Sequence, residues 1–177
     1  EGYNHGLRNL SHFCNQMTPL HHRDIGLVGA GLACDDVYIE FICDTLHICP
    51  DMISLVFNLK GADKIQLITD AMRASGMPDG ISSLGGLEVL VKDGAARLTS
   101  NGALAGSVLQ LNVALKNVYR ITEIELSDLV KTTSWNQACA VGLQGIGKLE
   151  CGYTADIVVL DNDFNVLKVF VDGEQRL

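Results

Sequence analysis

The sequence predicts an α/β fold: the C-terminal part of a (β/α)8 TIM-type barrel, followed by strands of a small satellite β-sandwich domain. Three observations point there. Short apolar strands alternate with helical or loop segments as far as Asp70, which is the signature of parallel β/α units. Three polar side chains, His12, His47 and Asp70, lie just beyond three of those strands. The last stretch returns to strand, turn and strand with no helix between.

Taken in order, residues 7–13 read as a short strand ending at a histidine, and 17–31 as a Gly- and His-rich connection with some helical character. Residues 37–43 form a near-continuous apolar strand ending in Asp44, as a parallel strand covered on both faces does. Residues 50–59 fit a helix. Pro50 suits its first position, Met52, Ile53, Val56, Phe57 and Leu59 share a broad face, and Gly61 is a natural stop. Residues 64–69 are another buried strand, ending in Asp70. The period then changes. Residues 87–91 and 95–99 flank Lys92-Asp93-Gly94, a strong hairpin signal. Residues 107–119 return to helix, with Val108, Leu111, Leu115 and Val118 on one face. Residues 124–143 read as two helices broken near Ser134-Trp135-Asn136, and 155–160 and 166–171 as strands joined by Asp161-Asn162-Asp163. The expected division is a barrel portion over 1–145, with a hairpin insertion near 84–100, and satellite strands over 146–177.

Composition narrows the function. At 47% hydrophobic and 19% charged residues, the chain has material for a packed core and lacks the profile of disorder. A net charge of −8 with no basic patch excludes a nucleic-acid phosphate binder. Apolar runs such as 157–160 are too short to span a bilayer. The opening Glu1-Gly2-Tyr3 carries no signal peptide and begins as a fragment or processed product does. The acidic balance fits a soluble, cytoplasmic enzyme. The six cysteines form no CxxC pair, and they read as reduced, mostly buried thiols.

In a β/α barrel the C-terminal strand ends converge, so His12, His47 and Asp70 would face one polar centre. Each alone has a plainer explanation. A single histidine near a strand end is more often structural, and an Asp after a strand is commonly a helix N-cap. Three on consecutive strands are harder to dismiss, yet this pattern does not name a reaction.

Longer strings carry a resemblance. Ser11-His12-Phe13-Cys14-Asn15-Gln16-Met17 with Pro19-Leu20-His21-His22-Arg23-Asp24-Ile25-Gly26, then Cys43-Asp44-Thr45-Leu46-His47, then Leu67-Ile68-Thr69-Asp70-Ala71, resemble in order and spacing the N-acetylglucosamine-6-phosphate deacetylases of the amidohydrolase superfamily. Asn101-Gly102-Ala103-Leu104-Ala105-Gly106-Ser107 resembles the family's G-T-L-A-G-S, Ser134-Trp135-Asn136-Gln137-Ala138 its S-L-N-P-A, and 147–161 its closing segment. The resemblance implies hydrolysis of N-acetylglucosamine 6-phosphate to glucosamine 6-phosphate and acetate. It implies a divalent metal, Zn2+ first and Fe2+ as the alternative, with His12 as a ligand. Asp70 would be the catalytic acid/base and His47 would contact the N-acetyl group or a sugar hydroxyl. Asn15, the Gln16 backbone and Arg23 would hold the 6-phosphate, and Leu104, Ala105 and Gly106 would wall the sugar pocket. The small-molecule amino-sugar phosphate would be the only ligand class, and the family commonly forms homodimers.

The family's other metal ligands lie in H-x-E-G-P and G-H-[ST] segments that precede the matched motifs, and neither string occurs in this sequence. Gln16 stands where Ala is usual, Thr45 where Gly is, and Trp135 and Gln137 where Leu and Pro are. Two other readings stay open: a non-catalytic fragment lacking most metal ligands, and an amidohydrolase acting on another amide or a cyclic imide.

Overall fold

The computed structural model describes residues 2–177. Its first sheet is parallel: β1 (Asn9–Leu10), β2 (Tyr38–Phe41) and β3 (Ile65–Leu67) lie side by side in that order. Leu10 sits beside Ile39, Ile39 beside Ile65, and Phe41 beside Leu67. The crossovers carry α1 (Gly26–Ala33) and α2 (Pro50–Lys60), giving two consecutive βαβ units. Leu10, Ile39, Phe41, Ile65 and Leu67 are all buried and share one face. Phe13 and Phe57 pack against Phe41 with ring centroids 6.2 and 6.4 Å away.

The opposite face differs from the apolar one expected. Gln66 Nε2 donates to Asn9 Oδ1 at 2.8 Å, Asn9 Nδ2 donates to Glu40 Oε1 at 2.6 Å, and the Ser11 hydroxyl donates to Glu40 Oε2 at 2.7 Å. This polar ladder crosses all three strands, and its mutual hydrogen bonds are what let Gln66 be buried.

The expected strand over 7–13 is cut to two residues, because the chain turns at His12, where φ is 36°. The turn is anchored by the Phe13 N–H, which donates to Glu40 O at 2.7 Å. In α2, Pro50 and Gly61 sit at the ends as expected, and Ile53, Val56 and Phe57 are buried. Leu59 is instead exposed, lying off that face.

The region after β3 holds three antiparallel strands rather than a hairpin: β4 (Gly80–Leu84), β5 (Leu87–Lys92) and β6 (Ala95–Leu98). β4 escaped the sequence reading because Ser82 and Ser83 interrupt its apolar pattern. Asp93 and Gly94 take φ of 51° and 76°, as a tight hairpin requires. Ser107 then pairs in parallel with Ala71: its N–H donates to Asp70 O at 3.0 Å, and its carbonyl accepts from Met72 N–H at 2.8 Å. That strand-like role delays α3 to Leu111–Ile121, so Val108 lies outside the helix predicted to include it. α4 (Leu126–Leu129) runs into a 3-10 turn, and α5 (Trp135–Ala140) begins after the expected break at Ser134.

The final sheet, β7 (Ile157–Leu160), β8 (Val166–Val171) and β9 (Glu174–Gln175), is antiparallel. Asp161 Oδ1 accepts from the N–H groups of Asp163 and Asn165 at 2.8 Å, shaping the β7–β8 turn. The turn sends Phe164 into the main core, 5.4 Å from the Tyr119 ring, while Asn112 Nδ2 donates to Phe164 O at 2.9 Å. Among the described residues no helix is long and apolar enough to cross a membrane. The cysteines are all free, but the expectation that most are buried fails. Only Cys43 is fully buried, Cys14 and Cys34 are half-buried, and Cys49, Cys139 and Cys151 are exposed, because the last three follow their strings into turns and helix ends.

α1 approaches the His12 turn through Gly31. A Cβ there would lie 2.6 Å from Phe13 Cε2 and 2.7 Å from Leu10 Cδ1, both in buried side chains. Gly31→Ala is therefore expected to destabilise the fold by about 1–3 kcal/mol, seen as a lower urea midpoint at unchanged slope. A change within about 0.5 kcal/mol would show that α1 is not packed this closely.

Candidate active site

Each parallel strand ends in a turn with left-handed backbone. His12 (36°), Cys14 (75°) and Gln16 (55°) follow β1, Thr45 (66°) follows β2, and Asp70 (48°) follows β3. Such φ values cost an ordinary residue roughly 1–2 kcal/mol. They persist only where surroundings hold them, as at functional sites. Thr45 is the most strained by type, being β-branched, and it stands where the resembling motif has glycine.

His47 is the best-defined side chain of the group. Asp44 Oδ2 lies 2.6 Å from its Nδ1, and Asp44 Oδ1 accepts the backbone N–H groups of His47 and Leu46 at 2.8 Å. Asn117 of α3 steadies the strand end by donating to Cys43 O at 2.9 Å. The hydrogen bond to Asp44 holds the His47 pKa above its ordinary value. Partial burial opposes this, the charges of Asp44 and Asp70 assist, and Arg97 opposes. Burial pushes the Asp44 carboxyl up, but the hydrogen bonds it accepts from His47 and Leu46 outweigh this and hold it below the ordinary range. Both shifts favour an imidazolium–carboxylate pair. His47's contribution to stability is complete below about pH 6.5 and is lost as pH rises through its elevated folded pKa. Asp44's is present above about pH 3.9 and is lost as pH falls through its depressed one.

Asp70 is exposed at the end of β3 and lies within electrostatic reach of His47. It lines an open cavity of about 450 Å³ with Thr69, Thr133 and Gln137. Leu104, Ala105 and Gly106 reach the same region from the second sheet. Ala105 N–H donates to Ala96 O at 3.0 Å, and the next residue but one, Ser107, is bonded to Asp70. Gly106 has φ 64°, and a Cβ there would sit 3.0 Å from Met72 Cβ, so no other residue fits without strain.

His12, Asn15 and Gln16 share the turn after β1, where Asn15 N–H donates to His12 O at 2.9 Å. Arg23 stands apart. Its guanidinium donates to His22 Nε2, its N–H donates to His21 Nδ1 at 3.3 Å, and among the described residues it makes no hydrogen bond to Asn15 or Gln16. Among the described residues no three His, Cys, Asp or Glu side chains converge as a metal-binding group. His12 is thus not accompanied by the further donors a closed site requires, and this chain's residues alone do not fit a resident metal ion.

Sequence reasoning missed two residues here. Asp44 was legible in principle, since Asp-x-x-His within one turn brings the carboxylate to the ring Nδ1. Arg97, whose Nη1 donates to Gly102 O at 2.9 Å while its charge reaches His47, left no sequence signal.

Residues 46–176 match the amidohydrolase family, and the chain belongs to it. Within that family its likeness runs to amino-sugar-phosphate deacetylases. It is 45% identical over 172 residues to an N-acetylglucosamine-6-phosphate deacetylase of Lysinibacillus sphaericus, covering 97% of this chain and 44% of that protein. It is 38% identical over 170 residues to an N-acetylgalactosamine-6-phosphate deacetylase of Escherichia coli O157:H7, covering 96% and 45%. The crystal structure of the N-acetylglucosamine-6-phosphate deacetylase of Thermotoga maritima superimposes with a TM-score of 0.93 at 43% identity, covering 98% of this chain and 48% of that one. The chain spans less than half the length of each of these three proteins.

Asp44→Asn removes the carboxylate charge facing His47. The His47 titration midpoint, followed by NMR of its ring protons, is expected to fall below that of the unaltered chain. An unchanged midpoint would mean the pair does not form.

Proposed function

We propose that this chain carries the acid–base and phosphate-holding part of an enzyme that hydrolyses N-acetylglucosamine 6-phosphate to glucosamine 6-phosphate and acetate. The observation that supports this most is the placement of an oriented, easily protonated His47 and of Asp70 at neighbouring strand ends, in a chain 45% identical to such a deacetylase. With Nδ1 donating to Asp44, the imidazolium form leaves Nε2–H free to donate to the acetyl carbonyl, where negative charge grows on attack. Asp70 would take a proton from the attacking water as its oxygen bonds to the carbonyl carbon. It would then deliver that proton to the amide nitrogen as the C–N bond breaks, leaving amine and acetate. Asn15, the Gln16 backbone and Arg23 are assigned to the 6-phosphate. Arg23 would have to leave His22 for a phosphate oxygen, a stronger, charge-assisted partner. Leu104, Ala105 and Gly106 are assigned to the sugar wall. The resemblance implies a divalent metal with His12 as one donor, but no step is assigned to it, because the companion donors are not among these residues.

The same reading takes residues 1–145 as the C-terminal part of a (β/α)8 barrel and 146–177 as satellite strands. The βαβ units of the parallel sheet and the antiparallel β7–β8–β9 sheet support that division. The galacto epimer is the second substrate to consider, given the 38% identity to a deacetylase of that sugar.

The test is acetate release from both 6-phosphates, with added Zn2+, by this chain fused to a barrel portion that carries the companion metal donors. Release from the gluco sugar should dominate, fall at least about 100-fold in Asp70→Asn, and show a raised KM in Arg23→Ala. No release from either sugar, or release unaffected by Asp70→Asn, would overturn the assignment.

A further inference from the structure

The turn after β1 is gripped on both sides of His12 by a single residue of the neighbouring strand. Tyr38 N–H donates to Arg8 O at 2.8 Å. A parallel ladder advances by two residues on each strand, which would bring the His12 N–H to Glu40 O. The N–H that arrives is instead that of Phe13, at 2.7 Å. One residue is thus inserted at His12, as in a β-bulge, and its φ of 36° accommodates the insertion.

The carboxylate of the same Glu40 holds the other side. Its Oε2 accepts from the Ser11 hydroxyl at 2.7 Å, and its Oε1 accepts from Asn9 Nδ2 at 2.6 Å. Bonds to an ionised acceptor are the strong ones. The Asn9 bond belongs to the chain that satisfies buried Gln66, whereas the Ser11 bond is no part of that chain and acts on the turn. Inside the turn, Asn15 N–H donates to His12 O at 2.9 Å, which passes the constraint on to Asn15 and Gln16. Every bond from Glu40 named here runs to β1 or its turn, and β1 and β2 pair inside the sheet. None of them depends on what adjoins the outer edges of that sheet.

We propose that Glu40 is a positioning residue that sets the bulge at His12 and so orients the turn carrying Asn15 and Gln16. Its meaning for substrate rests on the phosphate role proposed for that turn, whereas its hold on the backbone does not. Ser11→Ala removes one bond to Glu40 and leaves those of Asn9 and Gln66 in place. In the full chain, the Phe13 and Asn15 amides should then exchange with solvent at least about tenfold faster by NMR. The Tyr38 amide, on the same strand pair but ahead of the bulge, should keep its rate. Ser11→Thr retains a hydroxyl and should behave as the unaltered chain does. Glu40→Ala should reproduce the acceleration, and adding Ser11→Ala to it should bring no further change. In the fused enzyme used for acetate release, Ser11→Ala should raise KM at least about fivefold, and Ser11→Thr should not. Unchanged exchange at Phe13 and Asn15, equal acceleration at Tyr38, additive effects of the two substitutions, or an unchanged KM would overturn the proposal. Failure of the unaltered fusion to release acetate would count against the deacetylase reading alone, because the exchange rates still decide the role of Glu40.

Discussion

Parallel strands deliver their C-terminal ends to the same edge of a sheet, and the candidate site depends on that constraint. Here it is imposed by the in-register pairing of β1, β2 and β3, with Ile39 and Phe41 of the central strand packed between Leu10, Ile65 and Leu67. A slip of one residue would turn Phe41 toward the face where Glu40 and Gln66 exchange hydrogen bonds, so core and polar ladder both resist it. Full burial of such side chains contributes about 1.5–3 kcal/mol each. Held by that core, the turns at His12, Thr45 and Asp70 can keep backbone conformations that would relax in an isolated loop.

The rest of the molecule acts on the strand ends from behind. Asn117 of α3 grips the last carbonyl of the segment leading into Asp44, and Asn136 and Gln137 of α5 donate to the Ile65 and Leu67 carbonyls of β3. Ser107, returning from the second sheet, closes the far side of Asp70. Three different elements thus converge on backbone within a few residues of Asp44 and Asp70, and side-chain amides or a strand bridge make the contacts. The electrostatics follow from that placement. Asp44, fixed by two N–H groups, charges His47, and Asp70 adds to the same field from the next strand while Arg97 tempers it.

Much of this was legible in the residues. The helix between Pro50 and Gly61 is written in its apolar spacing and its end residues, and Asp93-Gly94 announces its turn. His47 and Asp70 lie just past their strands, where apolar runs stop. What was not legible depends on partners distant in sequence. The polar ladder of Asn9, Glu40 and Gln66 reads as ordinary polar residues until the strands pair. Ser107 looks like a helix start until Ala71 claims it as a strand neighbour. Arg97 reads as a hairpin charge, because nothing local reveals that β6 folds toward His47. The motif strings placed Arg23 with Asn15 and Gln16, yet in this structure its guanidinium rests on His22.

Under the proposed function, the turns after β1, β2 and β3 would form one binding site for an amino-sugar phosphate. The most direct measurement is an NMR titration of the isotope-labelled full chain with N-acetylglucosamine 6-phosphate, following the resonances of His12, Asn15, His47 and Asp70 together. All four are expected to move along a single saturation curve, while the β7–β8–β9 sheet stays silent. Movement of only one turn, unrelated curves for different turns, or no movement at any of the four would contradict it.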